Sequence, residues 1–388
     1  MILNTSKRKP RFIVATPTRT VCDDYARFLE EIGDLRFLAL GTRRGIEGVS
    51  RQNTRLKPVI GLLTYIGAHL LNPFKAESFR SSLLPWFDRW VCKQLQPGDH
   101  IISSYGYTNE CFKFVRKHGG KTFVDAGNSH IENFWEVISE EHKIWNCPTP
   151  PFAYHWYERS KAMLGNTDYI LSPSNYVTQS FLSRGFRPAQ ILPIVYPLNL
   201  ELFHPRHSAR PKDRPLTLIN TASLSLRKGT PYLLEALREI SKRTPGVRIL
   251  LTNIVQDDIK PILARYGDLN IEWAPGLRHD KLAQRLNTAD IFILPSLEDG
   301  FARTVCEAIA CGLQIVTTTN TGASDFVVPG VNGEIVPIRN SQAIVDAVYK
   351  CESRIHEPPR NLSTLKDSLS FSSLCQTLLK HFDGLLET

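Results

Sequence analysis

The chain has 388 residues, of which 42% are hydrophobic and 22% charged, with a formal net charge of +9. That balance excludes collagen-like, disordered and disulfide-scaffold classes. The length gives two or three domains with full hydrophobic cores.

The excess charge is unevenly spread. Residues 36–93 hold 10 Lys and Arg against 3 Asp and Glu, whereas residues 201–388 hold 22 against 21. A basic N-terminal region suits an anionic partner, such as a phospholipid surface or a charged acceptor. The eight cysteines contain no CxxC pair, which argues against a zinc ribbon and for a reducing compartment. Met1 to Lys9 is polar and basic, and no apolar signal-peptide run follows it. The longest uncharged apolar run, Val59 to Leu71, has 13 residues, too few to span a bilayer. The expectation is a cytoplasmic protein, with peripheral attachment to the cytoplasmic membrane face open to its basic region.

Short apolar runs predict strands at Arg11–Thr16, Leu35–Leu40, His100–Ser103, Thr122–Asp125, Tyr169–Ser172 and Ile191–Val195, with helical patterns between most of them. After Pro58, the residues Val59, Leu62, Leu63, Tyr65, Ile66, Leu70 and Leu71 predict a helix with two readings. It is a buried core helix, or an interfacial one flanked by Arg51, Arg55 and Lys57 before and Lys75, Arg80, Arg89 and Lys93 after. The aromatics Tyr65, Phe74, Phe79, Trp86, Phe87 and Trp90 are spaced for packing rather than for stacking bases, so nucleic acid is not an expected partner. Pro197 to Pro215, rich in proline and charge, reads as a linker.

The rhythm then repeats at Leu216–Thr221, Arg248–Thr252, Ile271–Trp273, Ile291–Leu294, Gln314–Thr318 and Glu334–Val336, and Phe371–Leu386 closes the chain as an amphipathic helix. Alternating strand and helix predicts an α/β fold of two doubly wound, Rossmann-like domains of parallel strands. Residues 1–196 form the first, 197–215 the linker, 216–370 the second and 371–388 the terminal helix, expected to cross back to the first domain. Ligands in such sheets bind beyond the carboxyl ends of the strands.

The densest chemistry lies in Ile291 to Pro337. A strand ends in Pro295-Ser296, a loop carries Glu298, Asp299 and Gly300, and Thr304 to Gly312 reads as a short helix. A helix N-terminus there suits a phosphate, and Gly300 allows close backbone approach to a ligand. Glu307 lies one turn inside the helix. Lys228 falls in the first turn of a helix, where a cation is unfavourable unless an anion is bound.

Pro295, Ser296, Asp299, Gly300, Phe301, Ala302, Glu307, Ala308, Ala310, Cys311 and Gly312 resemble the motif of glycosyltransferase family 4, whose members are retaining enzymes of the two-domain GT-B fold. Gly322, Asp325, Gly330, Asn332 and Gly333 resemble its second glycine loop, and Lys228-Gly229 its phosphate-binding lysine. The resemblance implies a central cleft with the donor nucleotide sugar, UDP- or GDP-linked, on the second domain and the acceptor on the first. It implies that Glu307 accepts from the ribose. Asp299, aided by Gly300, Phe301 and Ala302, holds the donor sugar. Lys228 and the N–H groups near Thr304 and Val305 hold the diphosphate, and Gly276 and Leu277 lie against the base. His130 would face the sugar, with Thr18 and Arg19 on the acceptor side. It implies no metal and no cofactor.

The chain departs from that pattern in places. Ser223 stands where the family has an Arg, and Arg227 beside Lys228 is the substitute cation considered. Asp299 replaces Glu, with Glu298 beside it. Thr321 and Ser324 replace Gly and Pro. His130 has a second reading as a histidine capping a loop after a strand, and Glu298-Asp299 one as a solvated turn and helix cap. The expected function is hexosyl transfer to a glycan, lipid-linked or small acceptor, with retention. The alternatives are a nucleotide-sugar epimerase of the same fold and a non-catalytic nucleotide-sugar-binding protein at a membrane surface.

Overall fold

A computed structural model describes residues 11–71, 73–148, 151–205, 213–251, 254–274, 277–357, 365 and 367–386. In chain order the elements are β1 (Phe12–Thr16), α1 (Cys22–Glu31), β2 (Leu35–Leu40), β3 (Thr54–Leu56), α2 (Pro58–Leu70), α3 (Pro73–Cys92), β4 (His100–Ser104), α4 (Asn109–Lys117), β5 (Thr122–Asp125), α5 (Ile131–Ile144), α6 (Pro151–Leu164), β6 (Tyr169–Ser172), α7 (Asn175–Leu182) and β7 (Ile191–Pro193). There follow β8 (Thr217–Asn220), α8 (Thr230–Arg243), β9 (Arg248–Leu251), α9 (Lys260–Leu263), β10 (Ile271–Trp273), α10 (His279–Leu286), β11 (Ile291–Leu294), α11 (Arg303–Ala310), β12 (Gln314–Thr318), β13 (Gly333–Val336), α12 (Ser341–Glu352) and α13 (Phe371–Leu386).

The first sheet has the order β3-β2-β1-β4-β5-β6-β7. β1 is buried at all five positions, as a central parallel strand covered on both faces must be. β3 was not anticipated. Its Thr-Arg-Leu sequence pairs with β2 only at the edge, where solvent reaches it and no apolar run is needed. α2 forms where expected, but the buried-helix reading does not hold: Ile60 is buried, while Val59, Leu62, Tyr65, Ile66 and Leu70 are exposed.

The second sheet has the order β10-β9-β8-β11-β12-β13. The chain reverses direction of addition between β8 and β11, so the topological switch point lies there. Leu218, Ile249, Ile291, Ile293 and Val316 fill the sheet, with Leu233 and Leu237 of α8 and Val345 and Val348 of α12 packed in the same core.

Contacts divide the chain into Met1–Ala126, Thr149–Ser172 and Phe186–Leu192 as one unit, and Gly127–Pro148, Pro173–Gly185 and Pro193–Thr388 as the other. Two segments of the first half of the sequence, carrying α5 and α7, thus group with the second sheet. The buried Glu141 of α5 shows why. It accepts from Trp145 Nε1 at 2.8 Å, Tyr232 OH at 2.9 Å and Arg339 Nε at 2.7 Å, which leaves its charge fully partnered. The terminal helix α13, expected to return to the first domain, groups by its contacts with this unit, while a His381 ring nitrogen lies 2.8 Å from the Pro193 carbonyl at the end of β7.

Candidate active site

The second unit gathers its polar chemistry at the carboxyl ends of β8 and β11. Asn220, at the end of β8, donates to the Ile293 carbonyl of β11 at 2.6 Å and accepts from the Ala222 N–H at 2.9 Å. One buried side chain therefore fixes where both loops leave the sheet. Leu297 N–H donates to the Arg227 carbonyl at 2.9 Å, joining the loops directly. Gly229 starts α8 at φ +67°, and a Cβ there would lie 1.9 Å from the Pro295 carbonyl oxygen. Only glycine fits both constraints.

This packing brings two consecutive cations onto two consecutive acids. Lys228 Nζ pairs with Asp299 Oδ2, both side chains being nearly buried. Arg227 donates to the Glu298 carbonyl at 2.8 Å and lies 3.4 Å from its carboxylate. Burial raises the Asp299 carboxyl, but Lys228 and then Arg227 outweigh burial and hold it below the ordinary aspartate value. Burial and the neighbouring Arg227 push Lys228 down, against the pull of Asp299. Glu298 is fully buried, and burial raises its pKa in spite of Arg227.

Asp299 also caps its own turn. Its Oδ1 accepts from the Ala302 N–H at 2.9 Å and the Phe301 N–H at 3.4 Å. The turn is present but is not the solvated one expected, since Glu298 and Asp299 are both buried, and these two N–H groups are occupied by Asp299 itself. The loop then enters α11 through Ala302, which sits in the left-handed region at φ +56°. Val305 N–H donates back to the Ala302 carbonyl at 2.9 Å, so it is not a free donor at the helix start. Thr304 is partly exposed beside it.

Glu307 lies at 5% exposure on α11, its Oε2 has no hydrogen-bond partner, and burial pushes its pKa up to about 7 with Arg303 opposing. Two hydroxyls that the sequence reading gave no role share that condition: Thr221 Oγ1 after β8 and Ser296 Oγ after β11 are buried and unpartnered. Orphan buried polar groups cost about 1–3 kcal/mol each, which a ligand carrying donors and acceptors removes. Ser296 and Glu298 were visible in and beside the motif, whereas nothing in the linear sequence marks Thr221.

α5 and α7 complete the site. Ser129 N–H donates to Glu298 Oε1 at 2.9 Å. Ser174 Oγ donates to the Gly300 carbonyl at 2.7 Å, and Asn175 N–H to Asp325 Oδ2 at 2.7 Å. A Cβ on Gly300 would meet the Gly127 carbonyl at 2.3 Å. His130 follows Ser129 and caps α5, its Nδ1 accepting from Glu132 N–H at 3.3 Å while its ring stands edge-on to Phe181. It thus stands at the start of a helix, beside the acid loop, rather than capping a loop after a strand. Phe301 packs edge-on against Tyr196 and Phe326.

The remaining expected residues are not joined to this cluster. Ser223 and Leu277 are partly exposed loop residues, and Gly276 lies outside the described residues. Thr18 and Arg19 belong to the first unit, where Arg19 is held by Asp23 at 3.3 Å and the Gly45 carbonyl at 2.8 Å. Among the described residues, no three His, Cys, Asp or Glu side chains come together as a metal-ligand set, and no helix is long and apolar enough to cross a membrane.

The family described as Glycosyl transferases group 1 matches residues 215–353. A colanic acid biosynthesis glycosyltransferase of Salmonella typhimurium, WcaL, is 25% identical over 245 residues, 60% of this chain and 60% of its own length. Sucrose-phosphate synthase from Thermosynechococcus elongatus superposes with a TM-score of 0.72 at 18% identity, covering 97% of this chain and 99% of its own. Anabaena HepE, solved with UDP and glucose, gives 0.65 at 14% identity, covering 96% and 100%. The two sheets of seven and six parallel strands are those of the GT-B fold.

Proposed function

The chain carries a Glycosyl transferases group 1 domain over residues 215–353, and from that premise we propose that it is a glycosyltransferase taking its sugar from a nucleoside-diphosphate donor at the carboxyl ends of β8 and β11. The observation that carries this reading is the convergence of Lys228 and Arg227 on the Glu298–Asp299 loop, beside the unpartnered Glu307 carboxylate. Glu307 accepts from ribose hydroxyls. Asp299, freed from its own turn, accepts from the sugar, and Lys228 turns to the diphosphate as negative charge develops there. Thr304, at the positive end of α11, adds to that field. His130 faces the sugar, and Thr18 and Arg19 serve the acceptor.

The reaction is read as retaining and metal-independent. The anomeric carbon–oxygen bond to the diphosphate breaks, and a bond to the acceptor oxygen forms on the same face. The acceptor proton passes to the leaving diphosphate. Two cations supply the electrostatic support, and the protein's work is positioning. HepE's complex with UDP supports a uridine nucleotide, with GDP the second candidate. The likeness to WcaL, which is named for colanic acid biosynthesis, supports a glycan or lipid-linked acceptor.

Donor panels incubated with and without extracted acceptors test this. The reading requires intact donor until acceptor is added, then nucleoside diphosphate release that survives EDTA. An isomerised donor identifies an epimerase instead, and unchanged donor in all mixtures identifies a binding protein.

A second reading concerns location. The exposed apolar row of α2 stands beside the exposed Arg51 and Arg55, while Lys57 lies over the Trp86 and Trp90 rings. Apolar surface rimmed by cations fits an anionic phospholipid surface. Sedimentation with anionic vesicles at low salt, lost on Leu62→Glu/Leu70→Glu, supports it; no sedimentation removes it.

A further inference from the structure

Asp88, near the end of α3, holds the start of α4. Its carboxylate, 1% exposed, accepts from the N–H groups of Glu110 and Cys111 at 2.9 and 3.1 Å. Its carbonyl accepts from the Cys111 thiol at 3.4 Å. Cys92, the last residue of α3, stands one turn after Asp88 on the same helix face. The docking of α4 on Asp88 therefore sets Cys111 against Cys92, and the two thiols share a hydrogen bond. Their spacing in the sequence matches no CxxC motif, so the fold alone makes the pair.

The two thiols have different surroundings. Cys111 is buried, and burial first, then its bond to Cys92, pushes its pKa well above the ordinary thiol value. Cys92 is half-buried and lines a cavity of about 630 Å³ together with Arg89, Lys93 and Phe114. The bond from Cys111 holds Cys92 below the ordinary value, against burial and the Asp88 and Glu110 carboxylates. Cys147, also half-buried, is moved the other way by burial and Asp258. A reachable, thiolate-prone sulfur hydrogen-bonded to a second, protonated sulfur is the arrangement of an oxidation-sensitive dithiol.

We propose that Cys92 and Cys111 form a peroxide-sensitive dithiol that closes reversibly into a disulfide between α3 and α4. The Cys92 thiolate attacks one oxygen of hydrogen peroxide. The O–O bond breaks, an S–O bond forms, and the departing hydroxide takes up the thiol's proton as water. The Cys111 sulfur then attacks the Cys92 sulfur. The S–O bond breaks, the S–S bond forms, and hydroxide leaves with the Cys111 proton as a second water. Two thiols are oxidised and one peroxide is reduced. Exchange with a small dithiol restores both thiols. Because Cys92 ends α3, closing the bridge moves a helix end rather than a helix interior. Neither cysteine belongs to the β8–β11 site, so the pair stands or falls apart from the donor reading.

Stoichiometric hydrogen peroxide added to the reduced full chain, followed by alkylation and peptide mass mapping without reductant, tests this. The Cys92 and Cys111 peptides should appear joined, with the intact chain two hydrogens lighter, and dithiothreitol should release them. Cys92→Ser, at a half-buried position, should abolish the bridge and leave Cys111 a free thiol. Cys111→Ala should leave Cys92 as a sulfenic acid that a dimedone probe traps. Iodoacetamide at neutral pH should consume Cys92 of the untreated chain about tenfold faster than Cys147. A free Cys92 after peroxide, a bridge from it to any cysteine other than Cys111, Cys92 carried to sulfinic acid beside a free Cys111, or equal alkylation of Cys92 and Cys147 overturns the proposal.

Discussion

Lys228 and Asp299 form a buried ion pair that ties the loop after β8 to the loop after β11. Each charge is neutralised by the other where water is largely excluded, so removing one leaves its partner buried and uncompensated. Lys228→Ala should lower stability by about 3–5 kcal/mol and turnover by about two to three orders of magnitude. Lys228→Met/Asp299→Leu separates the two effects. It should recover most of the denaturation midpoint while turnover stays low. Recovery of turnover along with stability would show the pair to be purely structural.

Glu307 gives a pH signature. Its folded pKa is raised to about 7 from an ordinary 4.5, so protonation favours the fold. The stabilisation is fully present below about pH 4.5 and is lost as pH rises through 7. Glu307→Gln should therefore raise the unfolding temperature at pH 8 and change it little at pH 4.5. Ribose hydroxyls donate more strongly to the ionised form. Nucleotide affinity of the parent should rise from pH 6 to 8 with proton release, and the variant should lose that slope. Calorimetry in buffers of different ionisation enthalpy reads the released proton.

Ala302 occupies a left-handed conformation at φ +56°, where a Cβ costs about 1–2 kcal/mol. Ala302→Gly should be neutral or stabilising by up to about 1 kcal/mol, and Ala302→Val should destabilise by more than that. Chemical denaturation of the three proteins gives the order.

Much of the fold was legible because buried parallel strands appear as unbroken apolar runs. Phe12–Thr16, Ile291–Leu294 and Gln314–Thr318 are found where those runs predict them. The edge strand Thr54–Leu56 has no such signal. The site was legible only along the chain. Asp299, Glu307 and Lys228 stand out by linear spacing, whereas the contacts of Ser129 with Glu298 and of Ser174 with Gly300 join residues 169 and 126 positions apart. No local pattern encodes a contact of that kind, and the same limit hid the grouping of α5 and α7 with the second sheet.

Gly300 tests that long-range packing. A Cβ there would lie 2.3 Å from the Gly127 carbonyl and 2.7 Å from the Asn128 Cα, both backbone atoms that move only with their segment. Gly300→Ala should cost about 1–3 kcal/mol and weaken nucleotide binding. Gly267→Ala, where a Cβ meets nothing within 4 Å, is the control and should change neither.

The central claim is that the carboxyl ends of β8 and β11 hold a nucleoside diphosphate. Thermal unfolding of the whole chain against UDP, GDP, TDP, ADP and CMP, without added metal, tests it most directly. A ligand at a hundredfold over its dissociation constant adds ~2.7 kcal/mol, and each kcal/mol moves the midpoint of a unit this size by roughly 2–4 °C. One nucleoside diphosphate, UDP or GDP, should raise the midpoint by several degrees in the parent and not in Glu307→Ala. No shift with any nucleotide, or an equal shift in the variant, would contradict the assignment.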